Sequence, residues 1–154
     1  MNALPPPPAP KDQPFDFHGA TLSVQVATAD TGGAYCVLNA THLSNRGPAL
    51  HVHPLGAETF VVLEGSYTFF ADGNEVDVGP GEVVSIPAGI AHRWVAGPTG
   101  GVSVIVSPPG FEEYFWGVSL ESRRGPLSFA REMEIGAAHG QDFLEEGTHW
   151  ESNP

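Results

Sequence analysis

The feature that most constrains the fold is a long series of short, strand-like segments, each ended by glycine, proline or a turn dipeptide. Apolar and polar residues alternate in Ala20–Val26, which is the pattern of a strand with one buried face. β-Branched and aromatic residues fill Tyr35–Leu43, and Asp72-Gly73 is a typical hairpin turn. Roughly eight or nine such segments precede Pro108, with breaks predicted at Glu64-Gly65 and between Ala96 and Val102, and this spacing predicts a sandwich or barrel. Because strands and helices do not alternate, a doubly wound α/β fold is disfavoured.

The pattern changes after Pro108-Pro109-Gly110, where helical spacing replaces strand spacing. Aromatic residues behind early acids predict a short helix over Phe111–Trp116. A second helix is predicted over Ser128–His139, with Gly140 as its stop. The face expected to pack on the barrel is a stripe of apolar residues: Phe129, Met133 and Ala137.

The length of 154 residues fits one domain with accessory segments. Residues 1–14 are rich in proline and predict a disordered, extended arm. We expect the barrel at residues 15–107, a helical segment packed on it at residues 108–145, and an acidic tail at residues 146–154.

Charge and targeting signals limit the partners of this chain. The formal net charge is −12, and Lys11 is the only lysine. Because phosphate binding needs clustered basic residues, neither nucleic acid nor an anionic membrane is expected as a partner. The single cysteine, Cys36, excludes an intramolecular disulfide, and the N-terminus does not resemble a signal peptide. No apolar run has the length of a membrane span. A cytoplasmic location is therefore predicted.

Four residues between Gly47 and the end of the barrel are the candidates for a functional site. His51 and His53 are two apart, so they share one face of a strand. Glu58 and His92 each open an apolar strand, where an inward carboxylate is costly unless it is paired or ligated. We predict that the four side chains meet inside the barrel and bind one divalent transition metal: Fe, Mn, Co, Ni, Cu or Zn. The alternative is that the histidine pair is simply half-buried near a strand end.

These residues resemble the two motifs of the cupin superfamily. The run His51-x-His53-x4-Glu58-x6-Gly65 looks like the first motif, and Gly81-x5-Pro87-x-Gly89-x2-His92 looks like the second. Two positions depart from the pattern, because Gly47 lies three residues before His51 and Ala96 stands where asparagine is common. The resemblance implies an all-β fold, an antiparallel jelly-roll barrel with a short C-terminal helical segment. It also implies a metal held by His51, His53, Glu58 and His92, and a homodimer.

A narrower likeness runs over about residues 18–145, to quercetinase-like single-domain cupins. It includes Glu58–Gly65 and Ser107–Phe115. This likeness implies a dioxygenase that acts on a phenolic or enolic small molecule with O2, in which Glu58 serves as ligand and catalytic base. The alternatives are a non-redox cyclase or isomerase that uses the metal as a Lewis acid, and a non-catalytic small-molecule-binding cupin.

Aromatic strand residues are candidates for the pocket wall, although a core position is the simpler expectation for each. They are Tyr35, Phe60, Tyr67, Phe69 and Trp94. The remaining histidines have no ligand-like spacing, so packing or surface positions are expected for them: His18, His42, His139 and His149.

Overall fold

The structure, a computed structural model, describes residues 6–144 and 149–150. This part of the chain holds nine β-strands, two α-helices and a 3-10 helix at Thr28–Thr31. The strands are β1 (Phe15–Phe17), β2 (Ala20–Val26), β3 (Cys36–His42), β4 (His51–Val52), β5 (Glu58–Ala71), β6 (Asn74–Val78), β7 (Val83–Ile86), β8 (His92–Ser107) and β9 (Asp142–Phe143). The helices are α1 (Phe111–Ser122) and α2 (Phe129–Ala138). No helix in the described ranges is long and apolar enough to cross a membrane.

The nine strands form one curled sheet, and each pair of neighbouring strands runs antiparallel. Along one path the order is β1-β2-β3-β8-β4-β9, and β5 pairs with β6, β7 and β8. Apolar side chains from alternate strand positions fill the interior, together with the inner face of α1. The predicted all-β barrel with C-terminal helices is therefore confirmed.

Two pairs of predicted strands are continuous in the structure. The segments expected on either side of Gly65 form the 14-residue β5, and those on either side of Gly97–Gly101 form the 16-residue β8. Where β5 crosses β8, the register shifts between Val62 and Glu64 and again between Gly65 and Tyr67. These glycines therefore bend the strands instead of ending them, because a bulge lets a paired strand turn a barrel corner.

The two motif glycines serve different physical purposes. A Cβ on Gly47 would lie 1.8 Å from the carbonyl oxygen of Trp94, so only glycine lets the chain pass this close to β8. Gly81 has open space around it, but its φ of +83° lies in the left-handed region that L side chains rarely adopt. The predicted hairpin at Asp72-Gly73 is confirmed, since both residues have positive φ and Ala71 pairs with Asn74.

The N-terminal arm differs from the expected disordered segment over residues 6–14. The Asp12 amide donates to the Val24 carbonyl at 2.8 Å, and Lys11 forms an ion pair with Asp30. The Ala9 amide donates to Glu113 on α1. Backbone groups that meet strand and helix partners thus hold this part against the barrel, whereas residues 1–5 lie outside the described residues.

Both predicted helices are present, but the predicted packing stripe of α2 is wrong in part. Phe129 and Met133 are half-buried, whereas Ala137 is exposed. The buried face instead contains Glu132, Ile135 and Gly136. The helix is rotated because the Glu132 carboxylate has polar partners inside, which lets a charged side chain occupy an interior position.

The C-terminal part of the chain returns to the barrel. Strand β9, which the sequence did not suggest, pairs with β4 through His51 and Phe143. Of the expected acidic tail, His149 and Trp150 are described: the Trp150 amide donates to the Gly47 carbonyl, and its side chain is buried. Residues 145–148 and 151–154 lie outside the described residues.

Candidate metal centre

The four predicted ligands converge in the barrel interior because of strand alternation and strand pairing. His51 and His53 both point inward, with Val52 between them turned outward. His92 lies directly opposite His51 where β4 pairs with β8. Glu58, the first residue of β5, is 3% exposed, so its carboxylate is withdrawn from solvent. One nitrogen or oxygen from each side chain lies within 4.8 Å of the others.

The spacing of these atoms matches ligands that surround one ion. His53 Nε2 lies 3.5 Å from Glu58 Oε2, and His92 Nε2 lies 3.4 Å from Glu58 Oε1. Two ligand atoms at the usual zinc distances and a tetrahedral angle would be about 3.3 Å apart. The contacts are too long for strong hydrogen bonds, which lie near 2.7–2.9 Å when one partner is charged. The arrangement therefore leaves room for a cation between the side chains.

The backbone orients two of the three imidazoles. His51 Nδ1 donates to the Ala49 carbonyl at 2.7 Å, and His92 Nδ1 donates to the Ile90 carbonyl at 2.9 Å. These bonds place the proton on Nδ1 and leave Nε2 as the lone-pair donor. Both ring nitrogens of His53 are buried without a hydrogen-bond partner among the described residues. Leaving a buried nitrogen without a partner is costly in free energy. The position of His53 is therefore what is expected of a metal ligand.

The protonation states also suit a divalent cation. Burial, reinforced by repulsion from His92 and His53, holds the pKa of His51 well below its ordinary value, so His51 is neutral at physiological pH. Burial acts to raise the pKa of the Glu58 carboxyl, but the adjacent His53 and His92 outweigh burial and lower this pKa far below its usual range. A neutral imidazole and an ionised carboxylate are the forms that bind metal.

A narrow cavity lies beside the cluster, with a volume of about 20 Å³, which is room for about one water molecule. Its polar wall includes Glu58, His51 and His42. Its aromatic wall comes from several parts of the chain: Phe17, Phe60, Trp94, Phe111, Tyr114, Phe115 and Trp150. A mostly apolar lining with a few convergent polar groups is the kind of lining that small-molecule sites have.

The predicted pocket residues separate into three groups. Phe60 and Trp94 line the cavity. Tyr67 and Phe69 are buried in the core beside Phe60 and do not line it. Tyr35 is 44% exposed, because it lies just before β3 begins and its side chain points away from the interior. The structure does not bring Tyr35 to the site.

His42 is a cavity residue that spacing between ligands did not reveal. It is the last residue of β3, where every second side chain from Cys36 onward is buried. Its Nδ1 lies 2.7 Å from the Tyr67 hydroxyl, which lies 3.1 Å from Ser103 Oγ. Strand alternation was the signal that could have placed His42 inside. No comparable signal existed for Trp150, which reaches the cavity from the distant C-terminal segment.

A second cluster joins His18, Glu132 and His149 outside the barrel interior. Glu132 accepts hydrogen bonds from His18 Nε2 at 2.6 Å, His149 Nε2 at 2.5 Å and the Tyr114 hydroxyl at 2.6 Å. These distances are much shorter than the separation of about 3.3 Å expected between two ligands of one ion. The cluster is therefore a hydrogen-bonded clamp that ties α2, the β1–β2 turn and the C-terminal segment together.

The curled antiparallel barrel and its interior histidine–glutamate cluster define a small β-barrel protein with a candidate metal centre. Residues 44–107 match the model of the cupin domain family. A 71-residue stretch is 30% identical to quercetin 2,3-dioxygenase from Bacillus subtilis (strain 168), and covers 46% of this chain. The match spans about a fifth of that enzyme, 21% of its length.

Solved structures show the same fold. A cupin-like protein from Thermotoga maritima aligns over 75% of this chain and 84% of its own, with a TM-score of 0.53 and 17% identity. The polyketide cyclase RemF from Streptomyces resistomycificus aligns over 66% of this chain and 68% of its own, with a TM-score of 0.50 and 27% identity. Residues 44–107 therefore match a cupin domain, and the chain has the fold of the cupin-like protein.

Proposed function

We propose that this cupin is a metal-dependent enzyme for phenolic or enolic small molecules, and that its leading reaction is a dioxygenation with O2. The observation that carries the proposal is the buried cluster of three histidines and one carboxylate beside an aromatic cavity. His51, His53, Glu58 and His92 would hold one divalent transition metal. The similarity to quercetin 2,3-dioxygenase supports the oxidative reaction.

The metal would act as a Lewis acid for an acidic hydroxyl and, if it is redox-active, would also support reaction with O2. Glu58 is the candidate base, because its ionised carboxylate lies beside two imidazoles and can receive a proton at Oε1 or Oε2. Phe60, Trp94 and Phe111 offer flat apolar surfaces that would pack against a planar ring and exclude water.

A second candidate is a non-redox cyclase or isomerase that uses the same residues. The similarity to a polyketide cyclase, over about two thirds of both chains, supports this alternative. In that reaction Glu58 would again move a proton, while the ligand set would polarise a carbonyl group without any change in oxidation state. The same substrates, planar molecules with neighbouring oxygen atoms, would fit both candidates.

The decisive experiment begins with elemental analysis of the full chain purified without added metal. An oxygen electrode then screens catechols, flavonols and 1,3-diketones with the loaded protein. Oxygen uptake coupled to substrate loss would support the dioxygenase, and turnover under anaerobic conditions would support the cyclase or isomerase instead. Recovery of unchanged ligand from metal-loaded protein would favour a non-catalytic binding protein. Absence of bound metal from the native and the reconstituted protein would contradict all three assignments.

The proposal includes a homodimer, as the resemblance implies, and a cytoplasmic location. Light scattering on the purified chain tests the dimer, because a monomer mass near 16.2 kDa would contradict it.

A further inference from the structure

An apolar surface lies on the outer face of the sheet. Side chains alternate along β8, so Val104 points outward while its neighbours Ser103 and Ile105 are buried. Val104 lies opposite Val61 of β5, and Val61 lies opposite Val83 of β7, so the surface continues across three strands. The valine face consists of the outward aliphatic residues of four strands: Val37, Val61, Leu63, Val83, Val102, Val104 and Val106.

The valine face is exposed although it is apolar. Val83 is 59% exposed and Leu63 is 50% exposed, and the other members of the face are half-buried. The main contacts of the helices with strands lie elsewhere, between α1 and β1 and between α2 and β9. A single exposed aliphatic side chain is ordinary, but a contiguous apolar patch of several residues marks an interaction site.

The positions that flank the valine face are polar but uncharged, although the chain has 18 acidic residues. Thr59 and Ser85 hydrogen-bond to each other at 2.9 Å. Glu64, opposite Val102, marks one end of the face. The flanking outward residues carry hydroxyl or amide groups: Thr21, Ser23, Asn39, Thr41, Thr59 and Ser85.

A second copy of this chain is the partner that fits the valine face. Each copy has a formal net charge of −12, so two copies repel each other wherever their acidic surfaces meet. An uncharged apolar face avoids that repulsion, and it offers no charge that would select a basic or an acidic partner. The face is also complementary to itself. Because β8 lies between β3 and β5, a two-fold axis near Val104 would place aliphatic residues against aliphatic residues.

The dimensions of the face indicate how strong such a dimer would be. The strands β2, β3, β8, β5 and β7, at a spacing of about 4.8 Å and over about five residues, give roughly 400 Å² of flat area per copy. Two sheets that pack face to face would bury most of this area. An interface of this size is at the weak end of specific protein–protein contacts, so we expect a dissociation constant in the micromolar range.

We propose that the valine face is the homodimer interface of this protein, formed by two copies that pack sheet on sheet. The inference rests on the proposed function for the existence of the homodimer, and it adds the surface through which the copies meet. Because the face is the outer side of the sheet, the ligand cluster of each copy stays inside its own barrel.

The test is sedimentation equilibrium of the full chain from about 1 µM to 1 mM, which brackets the expected dissociation constant. Val83→Glu and Val104→Glu each place a carboxylate on the valine face. Val76→Glu is the matched control, because it adds the same charge at a valine that is 47% exposed and lies opposite Phe69, outside the face. Circular dichroism checks that each variant is folded, and Val83 decides if Val104→Glu does not fold, since Val83 is the more exposed position.

We expect Val83→Glu and Val104→Glu each to weaken dimerisation by more than about tenfold, because the contact would bury unpaired like charges. Val76→Glu should leave the dissociation constant within about twofold of the wild type. Val104→Lys should also be monomeric by itself, whereas its equimolar mixture with Val104→Glu should dimerise, because opposite charges then meet near the axis. Added salt should strengthen the wild-type dimer, since it screens the repulsion between two acidic copies.

A dimer that persists in both Val83→Glu and Val104→Glu would overturn the inference and leave the homodimer itself standing. An equal loss in Val76→Glu would also overturn it, because net charge rather than the valine face would then control association. A wild type that stays monomeric, or that binds a different protein through this face, would contradict the homodimer as well. Metal content and oxygen uptake test the rest of the proposed function separately, so the two kinds of failure are distinguishable.

Discussion

His51 and His92 face each other across the pairing of β4 with β8, with ring centroids 4.3 Å apart. Each ring donates Nδ1–H to a carbonyl two residues earlier in its own chain segment, Ala49 or Ile90. The Ala49 amide in turn donates to His149 Nδ1, which connects the ligand site to the C-terminal clamp. The orientation of these two ligands is thus fixed by the backbone, so the site is organised before any ion binds.

Removal of a ligand imidazole should remove most of the bound metal. His53→Ala and His92→Ala each delete one donor from a buried set of four, and we expect metal affinity to fall by more than about tenfold. Elemental analysis after gel filtration measures the change. His139→Ala is the control, because His139 lies at the end of α2 and is not part of the cluster. Equal metal content in His53→Ala and the control would contradict the ligand assignment.

Glu58→Gln separates the ligand role of Glu58 from its role as a base. The amide keeps an oxygen donor and the side-chain shape, so much of the metal should remain, whereas proton transfer is lost and turnover should fall about 100-fold. Elemental analysis and the rate on a substrate from the oxygen-electrode screen are measured together. Glu64→Gln, an exposed residue of the same strand, serves as the control. Full activity in Glu58→Gln would contradict the assignment of Glu58 as the catalytic base.

The clamp at Glu132 should contribute to the stability of the whole chain. Glu132 is 2% exposed and accepts three short hydrogen bonds, two from imidazoles and one from Tyr114. We expect Glu132→Gln to lower the free energy of unfolding by about 2 kcal/mol, since the charge-assisted bonds are lost. Urea unfolding measures the loss. The exposed Glu134 on the same helix gives the control, Glu134→Gln, and an equal effect of both substitutions would refute the clamp.

The stabilising effect of Glu132 should disappear in acid. Burial acts to raise the pKa of its carboxyl, but hydrogen bonds from His149 and His18 outweigh burial and lower the pKa to about 2. The folded chain then binds this proton more weakly than the unfolded chain, so the contribution is complete above about pH 4.5 and is lost as the pH falls toward 2. Unfolding midpoints of the wild type and Glu132→Gln should converge across this window. A gap that stays constant or widens in acid would argue against the assignment.

The two motif glycines should respond differently to alanine. Gly47→Ala places a methyl group against the Trp94 carbonyl oxygen, a backbone atom that cannot move aside, and should cost more than about 3 kcal/mol. Gly81→Ala meets no atom within 4 Å and should cost about 1–2 kcal/mol, through backbone strain alone. Thermal or urea unfolding of the two variants tests the order. A smaller loss for Gly47→Ala than for Gly81→Ala would show that the close approach at β8 can relax.

Much of the fold and the ligand set could be predicted from the sequence because both depend on short-range pattern. Alternation in β2 and the β-branched and aromatic residues of β3 indicated strands, and the two-residue spacing of His51 and His53 placed both imidazoles on one face. The bends at Gly65 and at Gly97–Gly101 were predicted as breaks. A glycine that permits a bulge and a glycine that ends a strand look alike until the partner strand is known.

The sequence by itself determined the all-β barrel, the two helices and the four residues that meet at the candidate metal centre, since period-two alternation and turn chemistry act within a few residues. Only the tertiary structure decided what surrounds those four residues. Phe17, Phe111 and Trp150 line the cavity although they lie in distant parts of the chain. Glu132 can be buried because His18 and His149 form hydrogen bonds with its carboxylate. Such contacts depend on how separate elements pack against each other, and local sequence periodicity does not predict that packing.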